Sequence, residues 1–320
     1  MGSAIRVGVI GVGYLGRHHA RLYAELPAAT LVGVADVDEN RARDVAAASR
    51  ARAFTDYRDM LPQVDAVSVV VPTSLHHRVA MDCFNAGLDV LLEKPMTVTL
   101  AEADELIAHA DAKQRIIQIG HLERFNGAVR ALAPMLSAPR FIESHRLGPF
   151  VGRGTDVHVI LDLMIHDLDI ILSLVRSPLT DIRAVGVPVL TSNIDIANTR
   201  LEFADGCVAN VTASRVSKDA MRKLRIFQPD AYFSLDYQKQ EVIMARRVDG
   251  ATEAGLPAID IQTLPIEKEE PLKAQLSAFL DSVATRRPPL VSGREGRSAL
   301  RVALDVLACI EKQWGKATSS

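Results

Sequence analysis

Over its first 120 residues the chain alternates short apolar, β-branched runs with stretches in which apolar residues recur every three or four positions. The runs are IRVGVIG (5–11), TLVGVAD (30–36), DAVSVVVP (65–72), LDVLLE (88–93) and RIIQIG (115–120). The stretches between them, Tyr14–Glu25, Glu39–Ser49, Leu75–Ala86 and Leu100–Ala112, carry the helical period. Strands apolar along their whole length and separated by helices imply a parallel sheet covered on both faces. Residues 1–122 are therefore expected to form a doubly wound α/β domain.

Beyond Phe125 the pattern changes. SPLTDIRAVGVPVL, DIANTRLEFADG, CVANVTASRV, LRIFQPDAYFSLDY and EVIMARRV alternate apolar with polar positions, and turn residues fall between them. That pattern predicts a large, mostly antiparallel and half-exposed sheet. An almost wholly apolar helix is expected at roughly Val157–Val175, ahead of the sheet. Two more helices are expected near Pro271–Arg286 and Glu295–Trp314. Residues 123–320 thus read as a second, α+β domain with an open sheet.

Composition sharpens this picture in three ways. With 320 residues, 48% hydrophobic and 24% charged, the chain can bury two domain cores. A net charge of -2 gives no reason to expect nucleic acid or an anionic membrane as partner. The start of the chain carries no secretory pattern, and no apolar stretch approaches the ~20 residues that span a bilayer. Cys83, Cys207 and Cys309 lie too far apart for a disulfide framework or a zinc site. No metal is expected, and the reading is a cytoplasmic enzyme.

Chemistry first enters at Gly11-x-Gly13-x-x-Gly16. The motif follows a strand, opens a helix, and is followed 20 residues after Gly16 by Asp36 at the end of the next strand. This is the dinucleotide fingerprint in its full context. The first glycine allows the tight turn, the second lets a pyrophosphate approach the backbone, and the third lets helix and strand close up. Gly11, Val12, Gly13, Tyr14, Leu15 and Gly16, with Asp36 and Val37, are the expected cofactor contacts. A carboxylate at 36 accepts from a ribose 2′-OH and repels a 2′-phosphate, which favours NAD over NADP; Arg41 and Arg43 complicate that choice.

Pro72 and Thr73 stand at the end of the third run, where open α/β sheets bind ligands, and Thr73 or Ser74 is placed to cap the following helix. His77 reads as part of an exposed first turn. Glu93-Lys94-Pro95 closes the fourth run on the same edge. A lysine leaving a buried strand there suits proton transfer or carbonyl polarisation, and equally a salt bridge over the sheet end; the residues alone leave both open. In DVHVILDLMIHDLDIILSLV the helix is apolar on nearly every side yet carries Asp162 and His166 at i and i+4. An acid beside a histidine orients the ring and raises its basicity, so the pair is a candidate for catalysis. Asp169 reads as a structural contact.

Taken together, the fingerprint, PTSLH (72–76), EKP (93–95) and DLMIH (162–166) resemble the Gfo/Idh/MocA oxidoreductase superfamily along essentially the whole chain. The resemblance implies a catalytic group of Lys94, Asp162 and His166. It also implies cofactor contacts from Pro72, Thr73, His76, Glu93 and Lys94, and a second-domain sheet that supports a homodimer or homotetramer. GHLERFNGAVRAL (120–132) is similar to members acting on nucleotide sugars, with Gly127 where the related segment usually has proline. That similarity implies oxidation of UDP-N-acetylglucosamine at C3 to a 3-keto sugar that an aminotransferase would take toward lipid A. His121, Arg124, Phe125, Asn126, Arg146 and Arg153, with Lys94, Asp162 and His166, are the expected substrate contacts. Arginine suits the pyrophosphate because it binds phosphate oxygens in pairs. Two alternatives stay open: a dehydrogenase of inositol or free sugars, and a dinucleotide-sensing regulator without catalysis.

Overall fold

A computed structural model describes residues 4–152, 157–251 and 257–317. The chain divides into two compact units. One holds the chain up to Leu122 together with Glu270–Leu300; the other holds Glu123–Glu269 with the chain from Arg301 onward.

In the first unit the elements run β1 (Ile5–Ile10), α1 (Gly16–Glu25), β2 (Ala29–Ala35), α2 (Glu39–Ser49), β3 (Arg52–Phe54), β4 (Ala66–Val69), α3 (Thr73–Asn85), β5 (Asp89–Leu92), α4 (Leu100–Ala112) and β6 (Ile117–Ile119). The sheet order is β3-β2-β1-β4-β5-β6, every pair parallel, so the order reverses beside β1. Local chemistry sets the helix ends. Thr99 and Glu102 form a reciprocal capping box on α4. Asp38 caps α2 by accepting from Arg41 N–H. Thr73 and Ser74 do not cap α3: its cap position is Pro72, and Thr73 is already helical.

The second unit contains α5 (Gly127–Leu132), β7 (Phe141–Leu147), α6 (Ile165–Leu174), β8 (Leu179–Val187), β9 (Ile196–Phe203), β10 (Val208–Ser214), β11 (Met221–Gln228), β12 (Ala231–Asp236), β13 (Glu241–Ala251) and β14 (Pro257–Thr263). Its sheet order is β14-β13-β12-β11-β7-β10-β9-β8. Among the described residues, only the β7–β10 pair of this sheet is parallel. The apolar helix expected at Val157–Val175 is shorter and irregular, a π-helical turn over Ile160–Met164 running into α6. The chain ends with α7 (Pro271–Thr285) and α8 (Gly293–Ala317). No helix among the described residues is long and apolar enough to cross a membrane.

Residues 270–300, which the periodicity places with the second domain, belong to the first unit. There Leu272, Leu276, Phe279 and Leu280 of α7 join Val7, Val9, Leu22, Tyr23, Val34 and Leu91 in one buried cluster. Ala20 of α1 and Ala46 of α2 belong to the same cluster, so α7 adds to the apolar cover that these helices give the sheet. Phe279 is fully buried. Phe279→Ala is therefore expected to lower unfolding stability by about 3–5 kcal/mol in urea; a loss below about 1 kcal/mol would show that α7 is not part of this core.

Candidate active site

In the first unit the site begins with a steric constraint. A Cβ at Gly16 would sit 1.9 Å from the Gly11 carbonyl oxygen, and one at Gly11 would sit 2.5 Å from that of Val70. Gly11 also has φ +85°, a region open to glycine. Gly13 differs: no described atom lies within 4 Å of where its Cβ would be, so the backbone there is open to a ligand. No side chain caps the start of α1. Helix N–H groups at such an end favour an anion.

Asp36 ties the loop to β2. Its carboxylate accepts from Val12 N–H at 2.9 Å and Asp38 N–H at 3.0 Å, and Arg41 Nη1 lies 3.2 Å from Oδ1. Beside it opens a cavity of about 350 Å³, walled by Gly11, Gly13, Val37, Tyr57, Pro72 and Leu75 among others. Val37 and Tyr14 are well exposed; the Tyr14 ring lies under the Arg17 guanidinium, 5.1 Å from its carbon. Leu15 occupies the cap position of α1. Thr73 does not line this cavity.

At the end of β5 the Glu93 side chain turns inward. It is buried, with His19 Nε2 3.4 Å from Oε1. A Cβ at residue 120 would lie 2.6 Å from the same carboxylate, so Gly120 is what makes room for it. Burial pushes the Glu93 carboxyl up, but His19, Lys94 and His76 outweigh that and hold it below the usual carboxylate range. Glu93 is thus a buried anchor beside a half-buried Lys94. The Lys94–Pro95 peptide is cis. His76 is buried too, with Nδ1 2.9 Å from Pro95 O and Nε2 2.9 Å from Val71 O. It links the chain after β4 to the chain after β5 and is not among the residues walling the cavity. Its burial lowers its pKa, against the pull of the two carbonyls and Glu93. His77 reaches Glu105 at 2.9 Å near the surface, and His121 is buried.

His19 escaped the sequence reading. A signal existed: it falls three residues after Gly16 with Ala20 and Tyr23 following, on the face of α1 that must meet the sheet.

The second unit holds another buried ionic set. Arg146 on β7 donates to Asp167 through Nε (2.7 Å) and Nη2 (3.3 Å), and to Glu123 through Nη1 (3.0 Å). Its guanidinium also lies 5.2 Å from the Tyr237 ring centroid. Asn126 donates to Glu123 Oε2 and to Tyr237 O, and its Oδ1 accepts from Ala128 N–H to cap α5. Arg124 pairs with Asp169 at 3.5 Å. Arg146, Phe125 and Asn126, expected at the substrate, are buried, and Arg146 directs three of its five donors to two carboxylates. Arg153 lies outside the described residues. Gly127 has its own reason: a Cβ would lie 2.8 Å from Glu267 O.

Asp162 sits in the π-turn and His166 in the first turn of α6, both half-buried. A π-turn holds more residues than an α-turn, and such turns concentrate at functional sites. The entry to this turn is fixed by Arg215, which donates to Val157 O and Ile194 O and pairs with Asp195 at 3.2 Å. Ile194 N–H in turn donates to His158 Nδ1.

These features define an oxidoreductase with a dinucleotide cofactor. Residues 5–121 match the oxidoreductase family with an NAD-binding Rossmann fold, and 127–231 match the GFO/IDH/MocA C-terminal domain. The chain belongs to the Gfo/Idh/MocA family. It is 41% identical over 308 residues to a UDP-N-acetylglucosamine 3-dehydrogenase of Acidithiobacillus ferrooxidans, covering 96% of this chain and 97% of that protein. The solved structure of that dehydrogenase superposes with a TM-score of 0.92 over 97% of this chain and 98% of its own. A myo-inositol 2-dehydrogenase of Thermotoga maritima is 23% identical over 97% of each chain. A levoglucosan dehydrogenase in complex with NADH shares the fold at a TM-score of 0.86 and 17% identity. The residues present fit NAD: the open backbone at Gly13 suits a pyrophosphate and Asp36 a ribose diol, beside a cavity with apolar walls.

Two outcomes follow from the buried ions. Arg146→Met leaves Glu123 and Asp167 uncompensated, at an expected cost of about 3–5 kcal/mol in thermal or urea unfolding; unaltered stability would mean the cation is not needed there. Glu93 has a folded pKa below its unfolded one, so its stabilisation is present above about pH 4.3 and lost as pH falls through the lower folded value. Glu93→Gln should therefore flatten the acid-side decline in stability; an unchanged slope would contradict this.

Proposed function

We propose that this protein oxidises the C3 hydroxyl of UDP-N-acetylglucosamine to the 3-keto sugar, using NAD. The observation that carries this reading is the 41% identity to a dehydrogenase of that name, which runs through both family regions of the chain. Sugar dehydrogenases of other substrates match at lower identity, such as 23% for the inositol enzyme.

NAD, when bound, supplies the hydride acceptor. The chain supplies position and proton handling. The His166 imidazole takes the hydroxyl proton, with Asp162 orienting the ring and favouring its protonated form. The Lys94 ammonium donates to the same oxygen and stabilises the negative charge that grows as the proton leaves. Glu93 and His19 hold the backbone from which Lys94 springs. A half-buried lysine is less screened by water than an exposed one, so its charge acts more strongly on that oxygen. Arg124 remains a candidate for the anionic part of the substrate, since its side chain keeps 14% exposure beside Asp169. A keto sugar at this position is the substrate an aminotransferase needs, which places the protein before an amination step. A cytoplasmic, symmetric homo-oligomer completes the proposal.

The test is NADH formation from NAD and UDP-N-acetylglucosamine, pulled forward by a coupled aminotransferase. Lys94→Ala and His166→Ala should each lower kcat by about 10²–10⁴-fold with the fold retained by circular dichroism. Near-normal turnover in either variant would sink the mechanism. Activity with inositol or a free sugar, and none with any UDP-sugar, would select the other branch of the family.

A further inference from the structure

The carboxylate at residue 36 is crowded. Oδ2 accepts from Val12 N–H, Oδ1 accepts from Asp38 N–H, and Arg41 Nη1 stands 3.2 Å and 3.4 Å from the two oxygens. A carboxylate has roughly four acceptor positions, so a ribose diol cannot be taken up fully while the guanidinium stays. Arg41 can leave: its side chain is 48% exposed, and its other partner is the surface Asp38 at 3.3 Å. It also stands at a boundary. Arg41 lines the cavity beside Asp36, which Arg78 lines as well, and a neighbouring one formed with Gly13, Tyr14, Arg17, Asn40 and Asp44.

From this placement we infer that Arg41 is a specificity-determining residue, one that lets the adenosine end of the site accept a 2′-phosphate as well as a free 2′-hydroxyl. With a 2′-hydroxyl bound, Asp36 takes the ribose and Arg41 turns toward Asp38. With a 2′-phosphate bound, the guanidinium turns to the phosphate oxygens and partly neutralises the charge that Asp36 would otherwise oppose to it. Arg41 is suited to this exchange because its planar fork pairs equally well with carboxylate and phosphate. Asp36, Asp38 and Asp44 keep NAD the better cofactor; Arg41 limits how far NADP is refused.

The experiment is a binding titration of the intact protein with NADH and NADPH, followed by reduced-nicotinamide fluorescence with no sugar present. Its failure is therefore separate from a failure of the proposed substrate. Wild type should bind NADPH within about a hundredfold of NADH. In Arg41→Ala the ratio of the NADPH to the NADH Kd should rise about tenfold or more, the worth of one charge-assisted hydrogen bond. Arg41→Lys, which keeps the charge without the fork, should fall between. Asp36→Ala should shift preference toward NADPH, and Asp36→Ala/Arg41→Ala should lose most of that shift. An unchanged ratio in Arg41→Ala, or an Asp36→Ala shift that persists without Arg41, overturns the inference.

Discussion

A methyl group at residue 16 would meet the Gly11 carbonyl oxygen at 1.9 Å, and the rest of the cofactor half depends on that closeness. Because helix and turn touch there without side chains, α1 starts directly over the end of β1. Before α1, the chain crosses Gly13 with no described atom within 4 Å of where a Cβ would be, and Val12 N–H comes within 2.9 Å of the Asp36 carboxylate. An open backbone, a carboxylate and an apolar cavity come together at one tight turn. No single side chain in the loop would produce them; the absence of three does.

Each unit holds a buried acid close in sequence to a residue proposed for the chemistry. In the first, Glu93 lies in a space that Gly120 leaves free and is countered by His19, which fixes the strand end carrying Lys94. In the second, Asp167 and Glu123 share Arg146, and Asp167 directly follows His166 on α6. Buried ions contribute little net stability against an apolar alternative, but removing one partner is costly, so such sets hold neighbouring groups in one arrangement. The residues proposed to touch the substrate are half-buried, and the ionic residues beside them are buried.

The parallel domain was largely legible because each of its long strands is apolar throughout and each helix keeps its period; α2 and α4 begin and end where periodicity put them. The three-residue β3 was too short to show a pattern. The central strand of the second sheet, β7, was missed for a physical reason. Its inward positions are Ile142, Ser144 and Arg146, so a buried face reads as a polar one. β14 escaped because its Ile259 and Ile261 are exposed on an edge strand. The motifs singled out Asp36, Lys94, Asp162 and His166 as candidates. What they could not show is which polar neighbours are tied into the interior, as the buried and hydrogen-bonded His76, Asn126 and Arg146 are.

The most direct measurement uses UDP-N-acetylglucosamine carrying deuterium at C3 of the sugar, incubated with the purified protein and NAD, with mass spectrometry of the reduced cofactor. Deuterium in the reduced nicotinamide establishes both the substrate and the carbon oxidised. Reduced cofactor without the label, or none at all while NAD binds, would contradict oxidation at C3 of this nucleotide sugar.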